Sequence, residues 1–187
     1  VFGDYNTKFN LCRLLSGSEG TLAFTTEITL QLDDLPPPFA AMVATHYKTL
    51  EDCLTDVAPV MQHSLHLCEM MDKVILDCTK NNRAQLANRF FVEGDPAGIL
   101  MLEVKADSKE DLERQLESLL KTINASGLSY ANPILYGEDI NKAIELRKAG
   151  LGLLGNMVGD KKAVACIEDT AVALEDLKDF IAEFSLI

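Results

Sequence analysis

Polar and apolar residues alternate from Thr21 to Leu32. Leu22, Phe24, Ile28, Leu30 and Leu32 share one face, and Thr21, Thr25, Glu27, Thr29 and Gln31 share the other. A period of two predicts a half-buried strand. It ends at Asp33-Asp34, and Pro36-Pro37-Pro38 follows. That stiff, extended link can enter neither a helix nor a central strand. A domain boundary is expected there, dividing residues 1–35 from residues 36–187.

Beyond the prolines, FAAMVATHY (39–47) reads as a strand. Thr49 with Asp52 three residues on starts a helix carried by Leu50, Leu54, Val57 and Met61, which Pro59 should kink or interrupt. LHLCEM (65–70) predicts a short strand and Asp72–Lys80 a short helix. Arg83–Pro96 is polar around the strand-like pair Phe90-Phe91, and GILMLEVK (98–105) is a strongly apolar strand. Ser108 and Asp111 cap the clearest helix, with its stripe at Leu112, Leu116, Leu119, Leu120 and Ile123. Tyr130–Tyr136 reads as a strand, Glu138–Leu154 as a helix, Ala163–Glu168 as a strand and Leu174–Phe184 as a last helix. Several strands are short and half-polar. The expectation is therefore an α+β fold, a mostly antiparallel sheet with helices on one face, in preference to a doubly wound parallel sheet.

The 187 residues suit one domain, or one domain plus a piece of another. With 17 Lys+Arg against 29 Asp+Glu the net charge is −12, which argues against nucleic acid and anionic membranes as partners. Cys12, Cys53, Cys68, Cys78 and Cys166 are odd in number and form no CxxC pair. Reduced thiols in a cytoplasmic protein are the simplest reading. No apolar run is long enough to cross a membrane. Both ends, VFGDYNTKFNLC and FIAEFSLI, read as cut from something larger, so a fragment is expected.

Gly17 and Gly20 bracket Ser18-Glu19 ahead of the alternating segment. Glycines let a ligand lie against bare backbone, but a carboxylate at Glu19 would repel phosphate. The turn either feeds a strand and nothing more, or offers backbone groups to a neutral, flat, hydrogen-bonding ligand. The longer string LLSGSEGTLAFTTEITLQL resembles the segment closing the FAD-binding domain in the vanillyl-alcohol oxidase family of flavoproteins. Ala23 stands where that family usually has glycine, and Phe24 where it has isoleucine or valine. The resemblance implies FAD as cofactor, with Gly17, Ser18, Glu19, Gly20, Thr21 and Leu22 along the flavin or its adenosine half.

On the helix Glu138–Leu154, Ile140, Ala143, Ile144, Leu151 and Leu154 fall within roughly 60° of Arg147. A guanidinium inside an apolar stripe is costly unless paired. Either an internal partner such as Glu168 or Asp169 meets it, or it grips a carboxylate bidentately in a cleft. An early end to that helix at Gly150, Gly152 or Gly155 would void the wheel argument. The string ELRKAGLGLLGNMVGDKKAVACIEDTAV is similar to the late cap-domain segment of FAD-linked D-2-hydroxy-acid dehydrogenases. These include D-lactate and D-2-hydroxyglutarate dehydrogenases and the glycolate oxidase flavin subunit. The likeness is strongest to large bacterial members with an iron–sulfur region. LCEMMD (67–72) resembles the family's strand-to-helix junction, while Ala163 and Ala173 stand where proline is common. The resemblance implies a ferredoxin-like cap domain, with Arg147 on the substrate carboxylate and Lys162 as a second anion contact.

His63, His66 and Cys68 are weighed as zinc ligands against an ordinary strand edge with one buried cysteine. Met61, Met70 and Met71 read as core filler. The family's glycine-rich pyrophosphate loop and its paired-histidine metal segment would fall outside these residues, as would an iron–sulfur cluster. The sequence thus leads to a piece of an enzyme that oxidises a D-2-hydroxy acid by hydride transfer to FAD. Its expected partners are that acid, the rest of its own FAD domain and an electron acceptor. The rival is a non-catalytic α+β binding or assembly module. The fragment by itself is expected to be inactive and colourless.

Overall fold

Two apolar runs organise the chain beyond the triple proline because neither has a solvent side. In the computed structural model, which describes residues 9–80, 82–155, 159–160 and 170–186, these runs form β1 (Phe39–Tyr47) and β3 (Gly98–Ala106). They pair antiparallel over their whole length, from Phe39 opposite Ala106 to Tyr47 opposite Gly98. β2 (Leu67–Asp72) covers the outer edge of β3, with Glu69 opposite Met101. The far edge of β1 is shared by β4 (Ser129–Ala131) and β5 (Ile134–Tyr136). Asn132-Pro133 breaks what the sequence predicts as a single strand. Pro133 has no N–H to give a ladder, but its carbonyl accepts from Ala44 N at 2.9 Å.

The chain divides into two compact units, Val1–Leu35 and Pro36–Ile187. The second is α+β with a five-stranded antiparallel sheet in the order β2-β3-β1-β4, β5 also pairing with β1. Its helices cover both faces of the sheet, whereas the sequence pattern predicts helices on one. Ala41, Val43, Tyr47, Leu100, Leu102 and Val104 face α2 (Leu50–Val60) and α4 (Lys109–Ser126). Met42, Ala44, Ile99 and Met101 face α3 (Lys73–Lys80) and α5 (Glu138–Gly155). The physical reason lies in β1 and β3, whose nearly unbroken burial requires cover above and below.

Local chemistry sets the helix ends. The Thr49 and Ser108 side chains accept from Asp52 N and Asp111 N at the starts of α2 and α4. α2 stops one residue after Pro59. α4 stops at Gly127, whose φ of 66° is left-handed. Arg89, in the 3-10 turn Leu86–Arg89, donates to Leu76 O at 2.7 Å and to Thr79 Oγ1, closing the end of α3. Phe90-Phe91 is therefore no strand. Phe91 enters the core and Phe90 is half exposed. α6 (Leu177–Phe184) begins three residues later than the pattern suggests, after a turn over 174–176. The strand expected at Ala163–Glu168 lies outside the described residues.

The first unit differs more. It holds a five-residue helix α1 (Leu11–Leu15) and the glycine turn, but no strand among its described residues. Leu22, Phe24, Ile28, Leu30 and Leu32 are all exposed. Alternation prepares a segment to pair, but a strand exists only where a neighbour accepts its hydrogen bonds.

Candidate functional site

Gly17, Ser18, Glu19, Gly20, Thr21 and Leu22 form a tight, solvent-facing turn. Gly17, Glu19 and Gly20 have φ of 79°, 50° and 77°. Such a run of left-handed residues explains the glycines, and Glu19 adopts the conformation without that freedom. Ser18 O accepts from Thr21 N at 2.9 Å and from Thr21 Oγ1 at 2.7 Å, which locks the turn. A Cβ placed on Gly17 or Gly20 would meet nothing within 4 Å. The backbone of the turn therefore faces open space at both glycines.

Arg147 occupies the outer side of α5. The buried stripe of that helix runs through Ile140, Ala143, Leu146 and Gly150. Its centre is roughly 50° round the helix from Arg147 at 100° per residue. The guanidinium thus sits at the margin of the apolar stripe, not in its middle as the wheel of Ile144 and Leu154 suggests. It leans toward β2, where Arg147 Nε meets Glu69 Oε2. The Arg147 side chain is 49% exposed and that of Glu69 33%. Neither Glu168 nor Asp169, the partners raised from sequence, lies within the described residues, and nor does Lys162.

Two sequence choices bring this pair together. Leu67, Glu69 and Met71 share the face of β2 that looks at α3 and α5, since Glu69 pairs with Met101 of that core. Gly150, three residues on from Arg147, lets α5 approach α3 closely. A Cβ there would lie 3.0 Å from Ile75 Cγ2. Met70, Met71, Ile75, Arg147, Lys148, Gly150 and Leu154 then line a cleft of ≈ 320 Å³. One wall is cationic, from Arg147 and Lys148, and the floor is apolar. Lys148 is held only loosely, 3.9 Å from Glu145. Among the described residues, Arg147 has Glu69 as its ion-pair partner, engaged through Nε. That leaves the two Nη groups able to donate in parallel to a carboxylate. Glu69 itself escaped sequence reasoning. Its signal was a carboxylate set between two apolar residues on one strand face.

A larger cavity of ≈ 580 Å³ opens at the Phe39 end of β1, lined by Lys105, Lys109, Tyr136 and Asn141. Its buried acid, Glu103, is paired with Lys105 at 3.5 Å. This cavity is larger than the cleft at Arg147, where, among the described residues, the guanidinium has Glu69 as its ion-pair partner. No group of three His, Cys, Asp or Glu side chains that could hold a metal ion occurs among the described residues, which include His63, His66 and Cys68. His63 Nε2 lies 2.8 Å from Thr122 Oγ1. Burial, with Glu69 nearby, pushes the Cys68 thiol up, away from the thiolate a metal needs. No helix of the described residues is long and apolar enough to cross a membrane.

The second unit is thus a two-sided antiparallel sheet with a cationic cleft against its edge strand. Residues 36–186 match the family model of the FAD linked oxidases, C-terminal domain, and the chain belongs to that family. Among characterised relatives, the D-2-hydroxyglutarate dehydrogenase of Haemophilus influenzae is 29% identical over 195 residues, covering 98% of this chain and 19% of the relative. That of Pantoea ananatis is 30% identical, covering 98% and 19%. The D-lactate dehydrogenase of Anaerostipes hadrus is 29% identical over 122 residues, covering 64% of this chain and 26% of the relative. The chain thus spans about a fifth of the length of the dehydrogenases it matches most fully.

Proposed function

We propose that the protein carrying this chain oxidises a D-2-hydroxy acid of the lactate, glycolate or 2-hydroxyglutarate type by hydride transfer to FAD. Residues 1–35 are the edge of its FAD-binding domain, and residues 36–187 are the cap that holds the substrate. FAD, when bound, accepts the hydride. The chain's own contribution is to bind and orient. Gly17–Leu22 present backbone to the cofactor, and the Nη edge of Arg147 takes the substrate carboxylate in two parallel charged hydrogen bonds. Lys162 supplies a second anion contact. The single observation that supports this reading is a half-exposed guanidinium lining a cleft, with Glu69 at its Nε as its ion-pair partner among the described residues.

Electron acceptor, iron–sulfur cluster and divalent metal belong to parts of the longer protein outside this chain. Among the described residues Cys12, Cys53, Cys68 and Cys78 are free, which supports a reducing, cytoplasmic setting. The rival reading, a non-catalytic α+β module, draws on the same Arg147–Glu69 pair taken as purely structural. Anaerobic bleaching of the bound flavin in the full-length protein, across D- and L-2-hydroxy acids, separates the two. Bleaching by a D-acid is expected, and none by any acid defeats the enzyme reading. Arg147→Ala should cut kcat/KM for that acid by roughly tenfold to a hundredfold, the loss of one or two charged hydrogen bonds, with flavin retained. Unchanged kinetics removes Arg147 from the site.

A further inference from the structure

We infer that Glu69 is a positioning residue for substrate binding: it fixes the Arg147 guanidinium so that its free edge meets the carboxylate. The inference rests on the reading of Arg147 given above and adds a residue on a different element. Glu69 Oε2 is shielded from solvent and, among the described residues, accepts no hydrogen bond; its close contact is the ion pair with Arg147 Nε. A shielded carboxylate oxygen whose one charged neighbour is a half-exposed arginine is an expensive arrangement for stability alone, because a partly exposed ion pair is worth little. It is well suited to orientation. Arginine has four side-chain torsions and, unrestrained, sweeps its fork over several ångströms. Engaging Nε defines the guanidinium plane and leaves the opposite, two-nitrogen edge for a planar carboxylate.

The supporting frame is rigid. Glu69 is held by the β2–β3 ladder, with Leu67 and Met71 in the apolar layer on either side. Arg147 is held by α5, which Gly150 seats against Ile75 one turn later. Displacing the fork by about 1 Å is enough to cost on the order of a hundredfold in a well-ordered site. Glu69 acts through Arg147 and touches no substrate.

Full-length, flavin-loaded protein carrying Glu69→Gln, Glu69→Asp, Arg147→Gln and the double change Glu69→Gln/Arg147→Gln provides the test. It reads flavin content, thermal midpoint, and kcat and KM for the hydroxy acid that bleaches the flavin. We expect Glu69→Gln to raise KM about tenfold or more with kcat within about threefold of wild type. Flavin content and thermal midpoint should stay at wild-type values. Glu69→Asp should recover part of that KM, and the double variant should be no worse than Arg147→Gln alone. If Arg147→Gln raises KM while both Glu69 variants bind substrate like wild type, the positioning role is overturned and the Arg147 reading stands. Additive losses in the double variant also overturn it, because Glu69 would then act independently of Arg147. If Arg147→Gln itself leaves KM unchanged, the reading of the cleft fails and this inference falls with it. Should Glu69→Gln lower the thermal midpoint, Glu69→Asp decides: a raised KM with wild-type melting supports positioning, and wild-type KM overturns it.

Discussion

Removing one oxygen atom from the protein tests how its deeper helical layer is held. Tyr47 is fully buried at the end of β1, and its hydroxyl donates to Asp56 Oδ2 of α2 at 2.9 Å. Ser126 Oγ, at the end of α4, donates to the same oxygen at 3.0 Å. Asp56 is 1% exposed, so water offers it little compensation. Burial, reinforced by Asp56, pushes the Tyr47 phenol far up, so it remains a donor at every working pH. Tyr47→Phe keeps the ring and its packing and leaves Asp56 with Ser126 alone among the hydroxyl donors. A hydrogen bond to a buried charged acceptor is worth about 1.5–3 kcal/mol. A loss of ~2 kcal/mol is roughly thirtyfold in the folding constant. Urea unfolding should show this as a lower midpoint with an unchanged slope. The same substitution in an Asp56→Ala background should cost well under half as much, because the partner is already gone. If Tyr47→Phe unfolds within about 0.5 kcal/mol of wild type, the network does not hold β1, α2 and α4 together as argued.

The remaining predictions concern pH, close packing and surface charge. His46 is fully buried, with Nδ1 2.8 Å from Ala44 O and Nε2 accepting from Glu93 N at 3.2 Å, and burial lowers its pKa. The unfolded chain binds that proton near pH 6.5 and the folded chain only below it. Stability is therefore complete above about 6.5 and falls with pH, by at most ~1.4 kcal/mol per unit. His46→Gln should flatten that stretch of the urea-midpoint profile, and an unaltered slope would remove His46 as its source. Gly98→Ala places a Cβ 3.1 Å from Cys53 Sγ and should cost about 1–3 kcal/mol in urea unfolding, largely relieved by Cys53→Ala. Equal losses in both backgrounds would refute steric conflict as the cause. Lys73 and Lys80, 2.8 and 2.9 Å from Asp95, hold its carboxyl down at about 2. A carbon-detected NMR titration at low salt should find it there and find it higher in 1 M salt; an ordinary value at low salt contradicts the network.

Much of this protein is local and was readable in its sequence. The Thr49 and Ser108 caps, the long apolar runs of β1 and β3 and the stripe of α4 each depend on residues within a turn or two of one another. Residue types also carried the resemblance to FAD-linked oxidases, since a glycine turn and an L-R-K-A-G string are contiguous. Other features depend on residues far apart in the chain. The sequence marked 39–47 as a strand and 98–105 as a strongly apolar one, but only the packing decided that helices cover both faces. Arg147 could be placed on α5 from periodicity, yet its position at the stripe margin follows from which side α5 turns to β2. Its partner, 78 positions earlier (147 − 69), follows from strand register. The alternating segment Thr21–Leu32 shows the converse. Its pattern is that of a strand, but a strand is a relation between segments, and alternation alone supplies no neighbour to accept its hydrogen bonds.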